Sequence, residues 1–282
     1  ANKKRIEEIK KHIIKLKQQT KISSLFQENT TSLSYSIGIT VPSTENEKAE
    51  LICKLKQKQQ RMPLFLNIAI SHGDVENIES FLQTIIKETK HTIHIHIDCS
   101  KYSLENFKLD FLKLKKLNIK HFVISSTSKS MQTTKAIQYI KSACSDNDSI
   151  TVGCKGYPEG YSNDIHVIHD KSLTNTEASR AGYDASNNVQ VCSDANFKKE
   201  IEYLKAKQDA GADYIISEIF YDVSVFLQFC ITLREAGITI PIIPSIMPIV
   251  SYNAFTYTTS KCRTRVPNNI QNAVYTCKHN DT

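Results

Sequence analysis

The sequence predicts an α/β fold built on a buried parallel sheet, and three observations carry that reading. A charged helix runs into Asp209-Ala210-Gly211-Ala212-Asp213, and an apolar strand from Tyr214 to Glu218 follows at once. A second amphipathic helix, Val223 to Ala236, ends at Gly237 and leads into Ile240-Pro241-Ile242-Ile243-Pro244. Small residues that close a helix before a short apolar run are what helix-to-strand turns of a parallel sheet require. The same alternation recurs along most of the chain and implies right-handed crossovers.

Taken in order, residues 1 to 20 read as a Lys-rich amphipathic helix, with Ile6, Ile9, Ile13, Ile14 and Leu16 at helical period. This helix and a polar linker occupy residues 1–30, and one folded domain takes residues 31–282. Strands are predicted at Ser34 to Val41, Leu64 to Ile70, Thr92 to Asp98, His121 to Ser126, Ser149 to Cys154, Tyr214 to Glu218 and Ile240 to Ile246. Helices are predicted between them, at Asn46 to Gln59, Val75 to Thr89, Leu104 to Leu117, Thr133 to Ala143, Phe197 to Ala210 and Val223 to Ala236. Two stretches break the alternation. Ser162 to Asn196 is a long polar segment, and loops of that length are normally functional or partner-binding. Nothing in the polar tail after Ile249 reads as a helix plus an eighth strand.

Composition narrows the function classes. The 282 residues suit one large barrel or two small domains, and a 40% hydrophobic content supports a sizeable core. The net charge of +7 is moderate. Its densest lysine runs, Lys3 to Lys21 and Lys108 to Lys120, read as solvated helix faces, because no exposed aromatics interleave with them as nucleic-acid stacking requires. No nucleic-acid partner is expected. Eight cysteines occur singly, with no CxxC pair. Cys99, Cys154 and Cys230 fall in or beside buried elements and read as reduced small hydrophobes rather than a disulfide frame or zinc site. No run approaches the ~20 apolar residues of a membrane span, and no secretory signal is visible. The first residue is Ala1, not Met, so a cleaved organellar presequence fits the basic balance as well as methionine removal does. Mitochondrial placement is the expectation, with the cytoplasm as the alternative.

Gly156-Tyr157-Pro158-Glu159-Gly160 follows the fifth strand, at the end of a parallel sheet where active sites collect. Alone it would read as a rigid turn. In order with Lys207, the Asp209-to-Asp213 turn and Ile242-Ile243-Pro244-Ser245-Ile246-Met247-Pro248, it resembles the methylenetetrahydrofolate reductase family. The resemblance is clear over about residues 150 to 270 and fainter from Ser34 onward. It implies a (β/α)8 TIM-type barrel and a flavoenzyme that passes hydride from a nicotinamide through FAD to the folate. With seven predicted strands, the barrel here is incomplete and leaves a sheet edge for another element or protein to cover.

Carried over position by position, the resemblance is selective. The family's first strand holds a glutamate that serves as acid, and Gly38 of Ile37-Gly38-Ile39-Thr40-Val41-Pro42 stands in its place. A glycine cannot transfer a proton. Ala69-Ile70-Ser71-His72-Gly73 keeps one glycine of the turn over the flavin but loses its threonine. His96 of His96-Ile97-Asp98-Cys99 matches the family's histidine. His94 lies on the same face, but without a third ligand a buried, hydrogen-bonded histidine is preferred to a metal pair. The Arg-Gly-Asp run that holds the flavin phosphates and tunes the ring becomes Ser126-Thr127-Ser128. Tyr157 is retained, while the family's next histidine is Tyr161. Glu200 stands where an aspartate contacts the cofactor ribose, and Lys207 matches a lysine near the pyrophosphate. An ordinary helix face, with the two paired to each other, is the competing reading. Glu218 replaces the glutamine that grips the pterin, and Ser245 replaces a glycine.

These losses predict a catalytically degenerate barrel, with no catalytic residue, no metal and no cofactor, serving as an accessory subunit of a larger assembly. His96, Tyr157, Glu200 and Lys207 are the remnants of cofactor binding and Glu218 of substrate binding. The alternative is an active FAD-dependent reductase in which Glu218 or Asp98 takes over as acid. A third reading keeps flavin or folate bound for regulation.

Overall fold

In the computed structural model the described residues are 35–57, 63–70, 73–89, 91–126, 132–145, 148–169, 172–184 and 186–278. The predicted N-terminal helix lies outside them, as do Ser71, His72 and Ser128. Seven parallel strands pair in the order β1-β2-β3-β4-β5-β9-β10, which matches the parallel α/β sheet of an incomplete barrel. The chain divides into two compact units, residues 1–154 with 209–214 and residues 155–208 with 215–282.

The first unit carries β1 (Ile37–Thr40), β2 (Phe65–Ile70), β3 (Thr92–Asp98), β4 (His121–Ser125) and most of β5 (Thr151–Gly156). Its helices are α1 (Glu45–Lys56), α2 (Asp74–Thr89), α3 (Leu104–Lys116) and α4 (Gln132–Ser142). Thr44 and Glu47 start α1 with a reciprocal capping box, and the Ser103 hydroxyl accepts from Asn106 N to start α3. Along the strands the side chains alternate. Leu66, Ile68, Ile95, Ile97, Phe122, Ile124, Val152 and Cys154 are fully or almost fully buried, as are Phe111 and Leu114 of α3 and Ile137 and Ile140 of α4.

The Asp209-to-Asp213 turn has a clear physical cause. Gly211 adopts φ +106° and a Cβ there would lie 2.9 Å from Lys141 Cγ, so glycine is required. Asp213 then accepts from Val152 N at 2.7 Å and from Lys141 Nζ at 2.5 Å, which ties the turn to β5 and α4. Tyr214 opens β9 (Tyr214–Ile219) and its ring fills the space above Gly153, where a Cβ would meet it at 2.4 Å.

The second unit holds α6 (Asp194–Asp209) up to Gln208, the remainder of β9, α7 (Val223–Glu235) and β10 (Ile242–Ser245). Among the described strands β10 pairs only with β9, so the edge expected of seven strands is present. Here the structure corrects one expectation and fills in another region. The polar stretch Ser162 to Asn196 is not a loop. It forms β6 (Ile165–Val167), α5 (Asn175–Arg180), β7 (Gly182–Tyr183) and β8 (Val189–Cys192), an antiparallel sheet in the order β6-β8-β7. Strands of two to four residues are too short to show a period, yet Ile165, Gln190, Val191 and Cys192 are buried. The tail, which the sequence left without assigned elements, adds no eighth strand among the described residues. It forms α8 (Tyr252–Cys262) and α9 (Asn268–Thr276), which bury Phe255, Thr259 and Val274. Threonine-rich helices with few apolar anchors carry a weak sequence signal.

Candidate functional site

In parallel α/β sheets, reactive groups collect at the carboxyl ends of the strands. In the first unit, those ends carry Ala69, His96, Asp98 and Ser125, while Gly38 lies a layer below them, in register with Asn67 and His94. Gly38 is exposed, and among the described residues no heavy atom lies within 4 Å of where its Cβ would stand, so none of them refills the position. His96 Nε2 lies 2.8 Å from Ser125 Oγ. Asp98 accepts from Ser100 N at 3.0 Å and Ser100 Oγ at 2.7 Å, capping a 3₁₀ turn at Cys99–Lys101. Its carboxylate is therefore used in closing the strand end.

One layer below, His94 is the buried, hydrogen-bonded histidine that the sequence favours. It stacks on Phe65 at 3.7 Å between ring centroids and on His121 at 4.6 Å. Its Nδ1 lies 3.1 Å from Tyr214 Oη, whose single hydroxyl hydrogen points at Phe122 O, 3.4 Å away. With that hydroxyl donating to Phe122 O, the tautomer that completes the pair is Nδ1–H. Burial, reinforced by His121, lowers its pKa to about 2. No group of three or more His, Cys, Asp or Glu that could hold a metal occurs among the described residues.

In the second unit, β5 ends in a reverse turn closed by Gly160 N donating to Tyr157 O at 3.0 Å. Gly160 adopts φ +103°, and a Cβ would sit 2.4 Å from Cys192 Cβ. Tyr157 meets Tyr161 edge to face at 5.2 Å. Glu218 is paired with Lys155 at 3.3 Å and also accepts from Ile219 N at 2.9 Å. Glu200 and Lys207 stand seven positions apart, two turns of α6, and are only 2% and 3% exposed. They lie on its core face with Phe197, Ile201 and Leu204, so the solvated helix face does not describe them. Lys207 Nζ donates to Lys155 O at 3.3 Å and lies over the Tyr203 ring at 4.3 Å.

The sequence reading overlooked two participants. Lys155 supplies the counter-charge of Glu218. Glu159, read as part of a turn, is only 5% exposed, and its Oε1 has no partner. Burial raises its pKa to about 8, against the pull of backbone N–H groups from its own residue and Arg265, with Glu218 and Asp222 adding to the rise. The available signal was a carboxylate between Pro158 and Gly160 in a turn directly after a buried strand.

A fold of this kind hosts many chemistries, so relatives are needed to place it. Residues 21–282 match the family model of methylenetetrahydrofolate reductase. A probable methylenetetrahydrofolate reductase (NADH) of Oryza sativa subsp. japonica is 35% identical over 145 residues, covering 51% of this chain and 20% of the relative. Methylenetetrahydrofolate reductase (NADH) 1 of Arabidopsis thaliana is 26% identical over 285 residues, covering 94% of this chain and 43% of its own length. Methylenetetrahydrofolate reductase 2 of Saccharomyces cerevisiae is 38% identical over 119 residues, 42% of this chain and 15% of the relative. The chain thus spans less than half the length of these three relatives. A solved 2,3-dimethylmalate lyase overlays with a TM-score of 0.46 at 12% identity over 85% of each chain, too slight a likeness to bear on function. With the family's model matched over nearly all of the sequence, this chain belongs to the methylenetetrahydrofolate reductase family.

Proposed function

We propose that this chain is a methylenetetrahydrofolate reductase-like barrel that has lost reductase turnover and serves as an accessory subunit of a larger, mitochondrial assembly. The observation that carries the reading is Gly38. The position that the family resemblance assigns to the proton-donating acid has no side chain, and the segment Ile37–Thr40 has no carboxylate. Loss of a general acid removes roughly 10²–10⁴ in rate.

The residues present also fit FAD poorly. Lys207 spends its ammonium on a backbone carbonyl and a tyrosine ring, and Glu200 is enclosed in the core face of α6. The charged clamp on the flavin phosphates is replaced by hydroxyls, which forfeits ~1.5–3 kcal/mol for each charge-assisted hydrogen bond. Lys155 occupies the carboxylate of Glu218, so that carboxylate is not free to grip a pterin edge. An accessory role draws on the apolar side chains left in solvent after β10, where Ile246 and Val250 are 72% and 83% exposed. Protein subunits that cover this face are the partners of the assembly.

The test is the visible spectrum of the purified protein, followed by identification of whatever copurifies with it. A colourless protein that elutes with defined partners supports the reading. A yellow protein with flavin absorbance overturns it. A second reading, an active FAD-dependent reductase in one-carbon metabolism, has one observation in its favour, the proton-retaining Glu159 carboxyl at the end of β5.

A further inference from the structure

The buried carboxyl of Glu159 belongs to a cluster that neither the family's chemistry nor the accessory reading uses. The turn that carries it runs close to Cys192, leaving no room for a side chain at Gly160. On one side stand Glu218 of β9 and Asp222, the cap of α7, both of which repel a charge on Glu159. On the other lies the segment that leaves α8. Cys262 at the end of α8 senses Glu218, Lys155, Lys261 and Glu159 together, and burial raises its thiol pKa to about 11. Arg263 donates to Ile165 O. The backbone N–H of Arg265 reaches the Glu159 carboxyl.

The nearby cations are committed. Arg265 Nε donates to Asp222 at 2.8 Å, and its Nη1 donates to Ala181 O at 2.7 Å and Ala178 O at 3.2 Å. Lys155 is paired with Glu218. Tyr157, on the same turn, packs against Tyr161. A charged Glu159 would therefore sit enclosed between two carboxylates with no cation of its own, and such a group must reach water. The Arg263–Arg265 segment meets Glu159 through the Arg265 N–H and is held by Arg263 donating to Ile165 O, Thr264 N donating to Thr259 O, and the Arg265 side chain.

We propose that Glu159 is a proton-operated latch: protonated, it lets the Arg263–Arg265 segment close over the carboxyl ends of β5 and β9; deprotonated, it drives that segment and the end of α8 away and opens the Lys155–Glu218 pair to solvent. The latch regulates access to the candidate site whether or not the barrel turns over, so it stands apart from the loss of reductase activity. With a carboxyl that titrates at about 8, the closed form holds below neutral pH and the open form gains as pH rises through that value.

The test is site-resolved alkylation of Cys262, quantified by mass spectrometry in the full chain and in Glu159→Gln, which keeps the shape but cannot ionise. A charged Glu159 raises the thiol pKa in the wild type alone, so each rate is divided by the thiolate fraction measured for Cys262 in that protein. The two should label equally at about pH 6.5. At about pH 9, one unit above the titration point, the wild type should label up to about tenfold faster. Equal rates at both pH values overturn the latch. Should Glu159→Gln fail to fold, hydrogen exchange in the unaltered chain asks the same question. After correction for intrinsic rates, protection of Tyr252–Cys262 should fall between about pH 7 and 9 while Val223–Glu235 is unchanged, and constant protection in both overturns it.

Discussion

Two regions of this molecule are held together by different physics. Around β3, β4 and the start of β5, the helix-facing side chains are Ile95, Ile97, Phe122, Ile124, Val152 and Cys154, packed on Phe111, Leu114, Ile137 and Ile140. Around the end of β5, the insert β6-β8-β7 and α6, the buried set includes Glu159, Arg180, Gln190, Glu200 and Lys207. The first region takes its stability from apolar area removed from water, which does not titrate. The second rests on hydrogen bonds and ion pairs in poor dielectric, which titrate and which fail badly when one partner is removed.

The largest effect that would sharpen this contrast is cavity formation in the apolar region. Phe111→Ala should cost about 3–5 kcal/mol in denaturant unfolding, with the same loss at pH 6 and pH 8. A loss that changed with pH would break the contrast. Next comes Glu159. Its folded pKa of about 8 lies above the ordinary 4.5, so its contribution is fully present below about pH 4.5 and is lost as pH rises through about 8. Unfolding midpoints against pH should show that decline in the wild type, on the order of a few kcal/mol, and Glu159→Gln should flatten it.

Arg180 comes third. It donates to Cys192 O at 3.1 Å and Asp194 Oδ1 at 2.7 Å, and its guanidinium lies 4.2 Å from the centroid of the Phe197 ring. Arg180→Ala should cost about 2 kcal/mol and loosen the insert, seen as lost exchange protection in Val189–Cys192. The smallest effect is expected where both partners are exposed. Lys54→Ala breaks the pair with Glu50 and should shift stability by no more than about 0.5 kcal/mol.

How much of this was legible in the sequence follows from length and period. The strands Phe65–Ile70 and Thr92–Asp98 and the helices Asp74–Thr89 and Val223–Glu235 are long enough to show their patterns, and their predicted bounds fall within a residue of those observed. The turn at Gly211 was legible because glycine is required there. The insert escaped because Gly182–Tyr183 and Ile165–Val167 are too short to carry a pattern, and its capping box, Thr174 with Glu177, went unused as a helix signal. At the candidate site, identities such as Gly38 and Glu218 could be read from the resemblance alone. The pairing of Glu218 with Lys155 and the enclosure of Glu159 depend on which side chains the turns bring face to face, and spacing along the chain does not encode that.

The central claim is that the barrel has kept its frame and lost its redox chemistry. The most direct measurement is reduction of added FAD by NADH or NADPH in the presence of this chain, followed as bleaching of the flavin absorbance. The account predicts a rate equal to that of the same mixture without protein. Bleaching at an enzymatic turnover rate, saturating with the nicotinamide, would contradict it.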